Sequence, residues 1–426
     1  AYEQWLLGGG EEGWREVAVL RLMGLFDRPA DAGCIEALLK EPAIPGLTQP
    51  LVGLADDDWE FCLSGLEAAR LLTVNRDTSA VLPSLDAHPL LREYFASQLR
   101  EEHPDAWRTA HRRLYEHLCT TTKEGDQPTL EDLQPLCQAV THGCAGGKHQ
   151  EAYLQLYWKR IAKKHRKLIR DKLGAVATDL SLLANFVELP WREADKSLEP
   201  KYQASVLVNS GLVLRLEGRF KEAEEGLVSG KQLYIRMPIA SRIADASRHL
   251  GQLYSLLGCL EDARQASKDA VRWSWKNHRP GFERMASLCG LGDVLHQLGN
   301  LRAAQAVFRK AEAIQPQIEP RYRQLSRLQG YRYCDLLLSL GCFSEVICRS
   351  ARMINWAKKQ DFLLGGALAR LSLARGCMER RLRTGTGNWE QIEVMLNKAV
   401  EALRLSNQQD ALPRGLLVLA EFQHHG

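Results

Sequence analysis

The chain has 426 residues, 45% of them apolar and 25% charged, with a formal net charge of +4. That length suits two or three domains with a large core; no apolar run reaches the roughly 18–20 residues of a membrane helix, and no charged-then-apolar leader opens the chain. The expected location is therefore cytoplasmic. The eleven cysteines are odd in number and form no C-x-x-C, which speaks against a disulfide framework and for reduced, mostly buried thiols.

In chain order, Trp14 to Phe26 reads as a helix with apolar Val17, Leu20, Met23 and Leu25. Asp27-Arg-Pro-Ala-Asp31 caps a second helix holding Ile35, Leu38 and Leu39. Pro42, Pro45 and Pro50 break the chain. A helix follows over Trp59 to Ala69. Leu71–Val74 and Val81–Leu85 then read as two short strands around the polar turn Asn75 to Ser79, and a further helix runs from His88 through Leu99. Helices followed by a two-stranded wing predict a winged helix.

The next segment is helical, with a helix pair predicted over Leu136 to Tyr157. It places Cys137, His142, Cys144 and His149 close together in sequence. Four such side chains are zinc-ligand types, but their spacing fits no common finger, and the helix pair already explains the small Cys144. From Lys159 to Lys172 there are eight Lys/Arg against one acid, Asp171, so the rest of the chain is slightly acidic. A helix would put Lys159, Lys163, Arg166 and Arg170 on one face. That face is expected to be solvated or docked on an acidic domain, with nucleic acid as the less favoured partner because no aromatics are interleaved in the run.

Four segments then repeat. Small residues Gly211, Gly251, Gly292 and Cys334 recur at spacings of about 41. Turn glycines Gly218, Gly258, Gly299 and Gly341 follow each. Ala223, Ala263, Ala304 and Val346 occupy the matching place in the second helix of each pair. Small residues on both helices permit close approach, and glycine at the turn takes positive φ and stops the first helix. One pair cannot bury its apolar face alone, so the copies must stack. A fifth, looser copy has Leu371–Ala374 starting its first helix, a turn at Arg383–Asn388 and a second helix over Ile392 to Leu403. A sixth begins at Leu412. Ala1 is not a start methionine and the last helix opens without a partner, so the chain is expected to be a piece of something longer. The repeats resemble the tetratricopeptide repeat, lengthened by about six residues over its usual 34.

Leu20-Arg-Leu-Met-Gly-Leu-Phe-Asp-Arg-Pro-Ala-Asp31 and Ala87-His-Pro-Leu-Leu-Arg-Glu-Tyr-Phe95 resemble the winged-helix segment of STAND-type signalling ATPases, the NB-ARC and NACHT relatives of plant resistance and apoptosome proteins. Ala87-His88-Pro89-Leu90 stands where that family carries Met-His-Asp-Leu, with the Met and Asp changed and the His kept. Leu136-Cys-Gln-Ala-Val-Thr-His-Gly-Cys144, Gly330-Tyr-Arg-Tyr-Cys-Asp-Leu-Leu-Leu338 and Gln409-Asp-Ala-Leu-Pro-Arg-Gly-Leu416 are similar to bacterial members with tetratricopeptide C-termini. The resemblance implies that His88 reaches an ADP phosphate and holds a resting state closed, as an imidazole donor at a helix start can. It also implies a parent that oligomerises on activation. The sequence contains no G-x-x-x-x-G-K-[ST]; the nearest string, Gly146-Gly-Lys148, lacks the leading glycine and runs into His149. ATP or ADP is therefore expected on an upstream nucleotide-binding domain, no cofactor in this chain, and no enzymatic activity in it alone.

The expected architecture is all-α: a winged-helix domain with helical extension over 1–120, a helical linker with the basic segment over 121–200, and a right-handed tetratricopeptide-like solenoid over 201–426. The first helix of each pair lines the inner surface of such a solenoid. Polar residues a turn or less from the anchoring small residue are the candidate contacts with a protein or peptide trigger: Arg248, Gln252, Asp293, His296, Tyr331 and Asp335. Three functions remain open at this point: the sensing and regulatory part of a STAND ATPase, with bacterial immunity against phage or transcriptional control as settings; a stand-alone scaffold; or a nucleic-acid-binding regulator.

Overall fold

In the computed structural model, residues 2–76, 82–163, 168–188, 191–276, 281–360, 363–407 and 410–425 are described. They form two compact units, 1–161 and 162–426. Among the described residues no helix is long and apolar enough to cross a membrane.

The first unit opens with α1 (Tyr2–Leu7), α2 (Glu11–Met23), α3 (Ala32–Leu39) and α4 (Asp56–Ala68). Asp31 caps α3 as expected, its carboxylate accepting from the Cys34 N–H at 2.9 Å. The hairpin β1 (Thr73–Asn75) and β2 (Ser84–Asp86) is antiparallel, with Val74 opposite Leu85. The first strand lies one to two residues later than the sequence suggests, and the second begins three later and ends one later. Leu85 decides this: it is fully buried and also pairs with Ala30 through two backbone hydrogen bonds of 2.8 and 3.0 Å. The predicted turn lies partly outside the described residues. α5 (Pro89–Glu102) follows, with Pro at its first position, where a missing N–H costs nothing. It packs on α2 so closely that a Cβ on Gly24 would stand 2.6 Å from the Ala96 backbone nitrogen. That contact explains the glycine at the end of α2.

α6 (Pro104–Thr121) and α7 (Leu130–Ala145) pack against each other, and α7 turns through Gly147, at φ 77°, into the three-residue α8 (His149–Glu151). The following Ala152–Ile161 is wound as a π-helix, as is Leu168–Lys172 in the second unit. This corrects the expected single basic face. A π-helix advances by more residues per turn than an α-helix, and Lys163 has φ 45°, so Lys159 and Lys163 do not share an α-helical i, i+4 stripe. Arg166 lies outside the described residues. Two members of the run are tied inward. Arg160 donates to Glu124 at 2.8 Å, and Arg170 pairs with Asp179 at 3.2 Å with both side chains buried.

The second unit continues with α9 (Val176–Ala184) and a two-residue hairpin, β3 (Val187–Glu188) with β4 (Glu193–Ala194). It then becomes a tetratricopeptide-like solenoid of helix pairs. These are α10 (Pro200–Leu216) with α11 (Phe220–Arg236), α12 (Ala240–Leu256) with α13 (Leu260–Trp275), α14 (Phe282–Gln297) with α15 (Leu301–Ile318), and α16 (Arg327–Ser339) with α17 (Phe343–Gln360). α18 (Leu363–Thr384) and α19 (Trp389–Leu405) make the fifth, and α20 (Leu412–His425) opens the sixth. The fifth copy's first helix starts eight residues before Leu371, since Ala367, Leu368 and Ala369 are all buried against the preceding pair.

The four turn glycines have φ of 79°, 75°, 77° and 76°, the left-handed conformation that ends a helix without Cβ strain. The anchoring small residues are equally direct in effect. A Cβ on Gly211 would lie 2.7 Å from Leu227 Cγ and 2.8 Å from the Ala223 carbonyl oxygen. Ala223, Ala263, Ala304 and Val346 are fully buried opposite them. Between the third and fourth copies the core is continuous: Phe308 stacks on Tyr333 at 5.0 Å between ring centroids, beside Cys289, Cys334, Leu337 and Met353.

Candidate functional site

The first helices of successive pairs stand side by side: α12 on α14, α14 on α16, α16 on α18. Their inward faces carry the polar residues that the repeat spacing selects, and these meet across the helices. Asp293 on α14 pairs with Arg332 on α16, Nε to Oδ2 3.0 Å, with about 5% of each side chain exposed. His296 on α14 meets Ser339 on α16, Nε2 to Oγ 2.8 Å, and its Nδ1 stands 3.9 Å from Asp335. Asp335 on α16 in turn pairs with Arg375 on α18. Each rung joins one copy to the next.

The electrostatics follow from burial. Arg332 has its pKa pushed down, first by burial and then by the nearby Arg414 and Arg215, with Asp293 opposing. Burial also acts against the charge on Arg375, but Asp335 and Tyr331 outweigh it and raise the pKa. Tyr331 is buried, its hydroxyl shifted up by burial and by Asp335, and the Arg414 guanidinium lies 5.6 Å from its ring centroid. On α12, Arg248 pairs with Asp245 and touches His249. His249 is buried, and burial with Arg248 brings its pKa down to about 3. Gln252 lies one turn on and lines a small cavity of about 50 Å³.

All six solenoid residues singled out from the sequence thus stand on this inner wall. Asp293, His296 and Asp335 belong to one ladder with Arg332 and Arg375; Arg248 forms a separate cluster with Asp245 and His249. Five further charged groups complete the wall. Arg332 and Arg375 are the ladder's partners, Arg215 is on α10, Arg414 on α20, and Asp410 lies just before α20. Asp410 pairs with Arg215 across 195 residues of sequence. Arg332 is two residues from the anchoring Cys334, inside a recognisable copy, and a search for charge opposite Asp293 one repeat later would have found it. Asp410 and Arg414 fall in the copy that drifts from the repeat spacing; they lie in the phrase Gln409 to Leu416 that carries the resemblance, but the repeat pattern does not place them on this wall.

In the first unit, His88 is exposed and is the N-cap of α5. Its Nδ1 accepts from the Leu90 N–H at 3.3 Å, which leaves Nε2 as the protonated nitrogen. Behind it Asp86 and Arg92 form an ion pair. The cysteine and histidine group of α7 does not converge. His142 instead faces His111, Nδ1 to Nδ1 2.8 Å, between Phe26 and Trp107. Among the described residues the one cluster with metal-ligand proximity is Asp31, Cys34 and His117. Asp31 is already committed there to the cap of α3, and burial holds the Cys34 thiol protonated.

Residues 286–318, α14 through α15, match the family model of the tetratricopeptide repeat. No curated protein matches the chain. Among solved structures, it aligns with a STAND protein with a tetratricopeptide repeat sensor from Pyrococcus horikoshii at 16% identity and a TM-score of 0.48, over 94% of this chain and 52% of that one. It aligns with the Rap conjugation gene regulator of the plasmid pLS20, solved in complex with the Phr* peptide, at 14% identity and a TM-score of 0.40, over 79% of this chain and 91% of that one. The chain therefore spans about half the length of the first.

Proposed function

We propose that the repeat unit is a recognition module whose inner wall binds a protein or peptide trigger, and that the chain is the sensing and regulatory part of a STAND-type ATPase. The observation that carries the first half is the buried ladder Asp293–Arg332 and Asp335–Arg375 on consecutive first helices. Burying charge is expensive, and apolar residues of similar size would hold the helices together at least as well. Charged groups kept at such cost on one face suit a surface that reads a polar partner.

The second half rests on the resemblance around Ala87–Phe95 and on helices α2 to α4 leading into a two-stranded hairpin. His88, with Nε2 protonated and solvent-facing at a helix start, has the chemistry to donate to a phosphate. ATP or ADP would be held by a nucleotide-binding domain of the parent protein, and release of the clamp on trigger binding would be a population shift from closed to open. The basic segment favours this over nucleic-acid binding, because Arg160 and Arg170 are already engaged by Glu124 and Asp179.

Panning the whole chain against a random peptide library and measuring the enriched peptides by fluorescence anisotropy tests the recognition half. Arg248→Glu should weaken their binding by at least about tenfold; equal affinity for both forms sinks it. For the clamp, His88→Ala in the full-length parent should speed release of bound ADP, and an unchanged release rate would remove His88 from that role.

A further inference from the structure

The cavity beside Gln252 is lined by Arg215, Arg332, Arg414 and Asp410 together with Leu328 and Leu368. Three guanidiniums crowd a space large enough for little more than a water molecule, and two carboxylates answer them: Asp293, on Arg332, and Asp410, on Arg215. Arg215 is buried and its Nε has no hydrogen-bond partner. Asp410 belongs to neither α19 nor α20 but to the connection between them. It reaches a wall built by α10, α12 and α16.

We propose that this arginine pocket is a carboxylate-recognition site of the inner wall, and that Asp410 occupies it as an internal stand-in for an acidic group of the trigger. The proposal rests on the inner wall being the recognition surface, and it adds the ligand's chemistry and its competitor. An incoming carboxylate flanked by apolar side chains replaces Asp410 on Arg215 and gains the unused Nε donor, while Leu328 and Leu368 receive its neighbours. Arginine suits this exchange because its planar fork accepts a carboxylate at either edge. The pocket is then self-occupied at rest, and its affinity for the trigger is reduced by the fraction of molecules in which Asp410 is seated.

The test uses the whole chain and three fluorescein-labelled pentapeptides. The first is the amidated Ser-Leu-Asp-Leu-Ser, the second the amidated Ser-Leu-Asn-Leu-Ser, and the third Ser-Leu-Asn-Leu-Ser with a free C-terminus. Asp410→Asn should tighten binding of the Asp peptide by about tenfold or more and leave the amidated Asn peptide unchanged. A gain for the third peptide identifies a chain terminus, rather than a side chain, as the carboxylate source. Arg215→Met added to Asp410→Asn should abolish the gain. Equal affinity of both the Asp peptide and the free-terminus peptide for wild type and Asp410→Asn, or no binding of either, overturns the proposal. Should Asp410→Asn fold poorly, hydrogen exchange on the wild type decides: saturating Asp peptide should accelerate exchange at Asn407 and Ala411, and unchanged exchange overturns it. Enriched library peptides that lose affinity on Arg248→Glu but ignore Asp410→Asn would leave the recognition reading standing and remove the competition.

Discussion

Asp293→Ala is the sharpest probe of the inner wall. It deletes the carboxylate that faces Arg332, both side chains being about 95% buried. The guanidinium would remain in place with Arg215 and Arg414 close by, and the cavity's other carboxylate, Asp410, is engaged by Arg215. Removing one partner of a buried pair typically costs 3–5 kcal/mol, because the other charge is left uncompensated. In a unit of this size roughly 2–4 °C of melting temperature accompanies each kcal/mol, so a fall of about 6–20 °C is expected. The double variant Asp293→Leu with Arg332→Met replaces the pair by apolar groups and should recover most of the loss. Urea unfolding followed by far-UV circular dichroism gives the size of the effect. Hydrogen exchange in α14 and α16 shows whether it is local, as nearest-neighbour coupling between repeats requires. A loss below about 1 kcal/mol, or a double variant no more stable than the single one, would refute the reasoning.

Three further outcomes follow from the packing. Gly211→Val should destabilise the solenoid by about 1–3 kcal/mol, since its Cβ meets Leu227 and the Ala223 carbonyl at under 3 Å; stability by chemical denaturation checks it. Phe308→Ala should cost about 3–5 kcal/mol in the same assay, because a fully buried ring stacked on Tyr333 leaves a cavity. The first unit should weaken as pH falls. Burial brings His142 down to about 4, only partly offset by Asp27, while the unfolded imidazole titrates near 6.5. The neutral, folded form is thus fully favoured above about pH 6.5, and about 3 kcal/mol is lost as pH drops toward 4. His142→Gln should flatten that slope in hydrogen-exchange measurements on α6 and α7; a slope unchanged by the substitution would assign it to other groups.

The repeat was legible because close helix packing restricts residue type so severely. Where a Cβ would strike a neighbouring backbone, as at Gly211, only glycine fits, and the turn glycines recur for their left-handed φ. The candidate contact residues were chosen by the same route, since a helix fixes which positions share a face. What one sequence does not display is pairing between distant copies. Arg215 carries no mark of Asp410, and His142 carries none of its neighbour His111, which lies 31 residues earlier. The basic run misled for a different reason. The α-helical period was assumed for it, whereas its described parts up to Ile161 and from Leu168 are π-wound and two of its arginines turn inward.

The contact between Arg215 and Asp410 also bears on how such an array can evolve. Each of the four regular copies turns from its first helix to its second through the same left-handed glycine, so recombination within the gene can add or drop a whole unit without altering the turn inside any other. Most solenoids are free to change length in this way. Here a lost or gained copy would carry Asp410 away from Arg215 by the rise and rotation of one pair, and the pocket would lose its internal occupant. The number of repeats is thereby subject to selection in its own right, with the ion pair acting as the gauge that measures it.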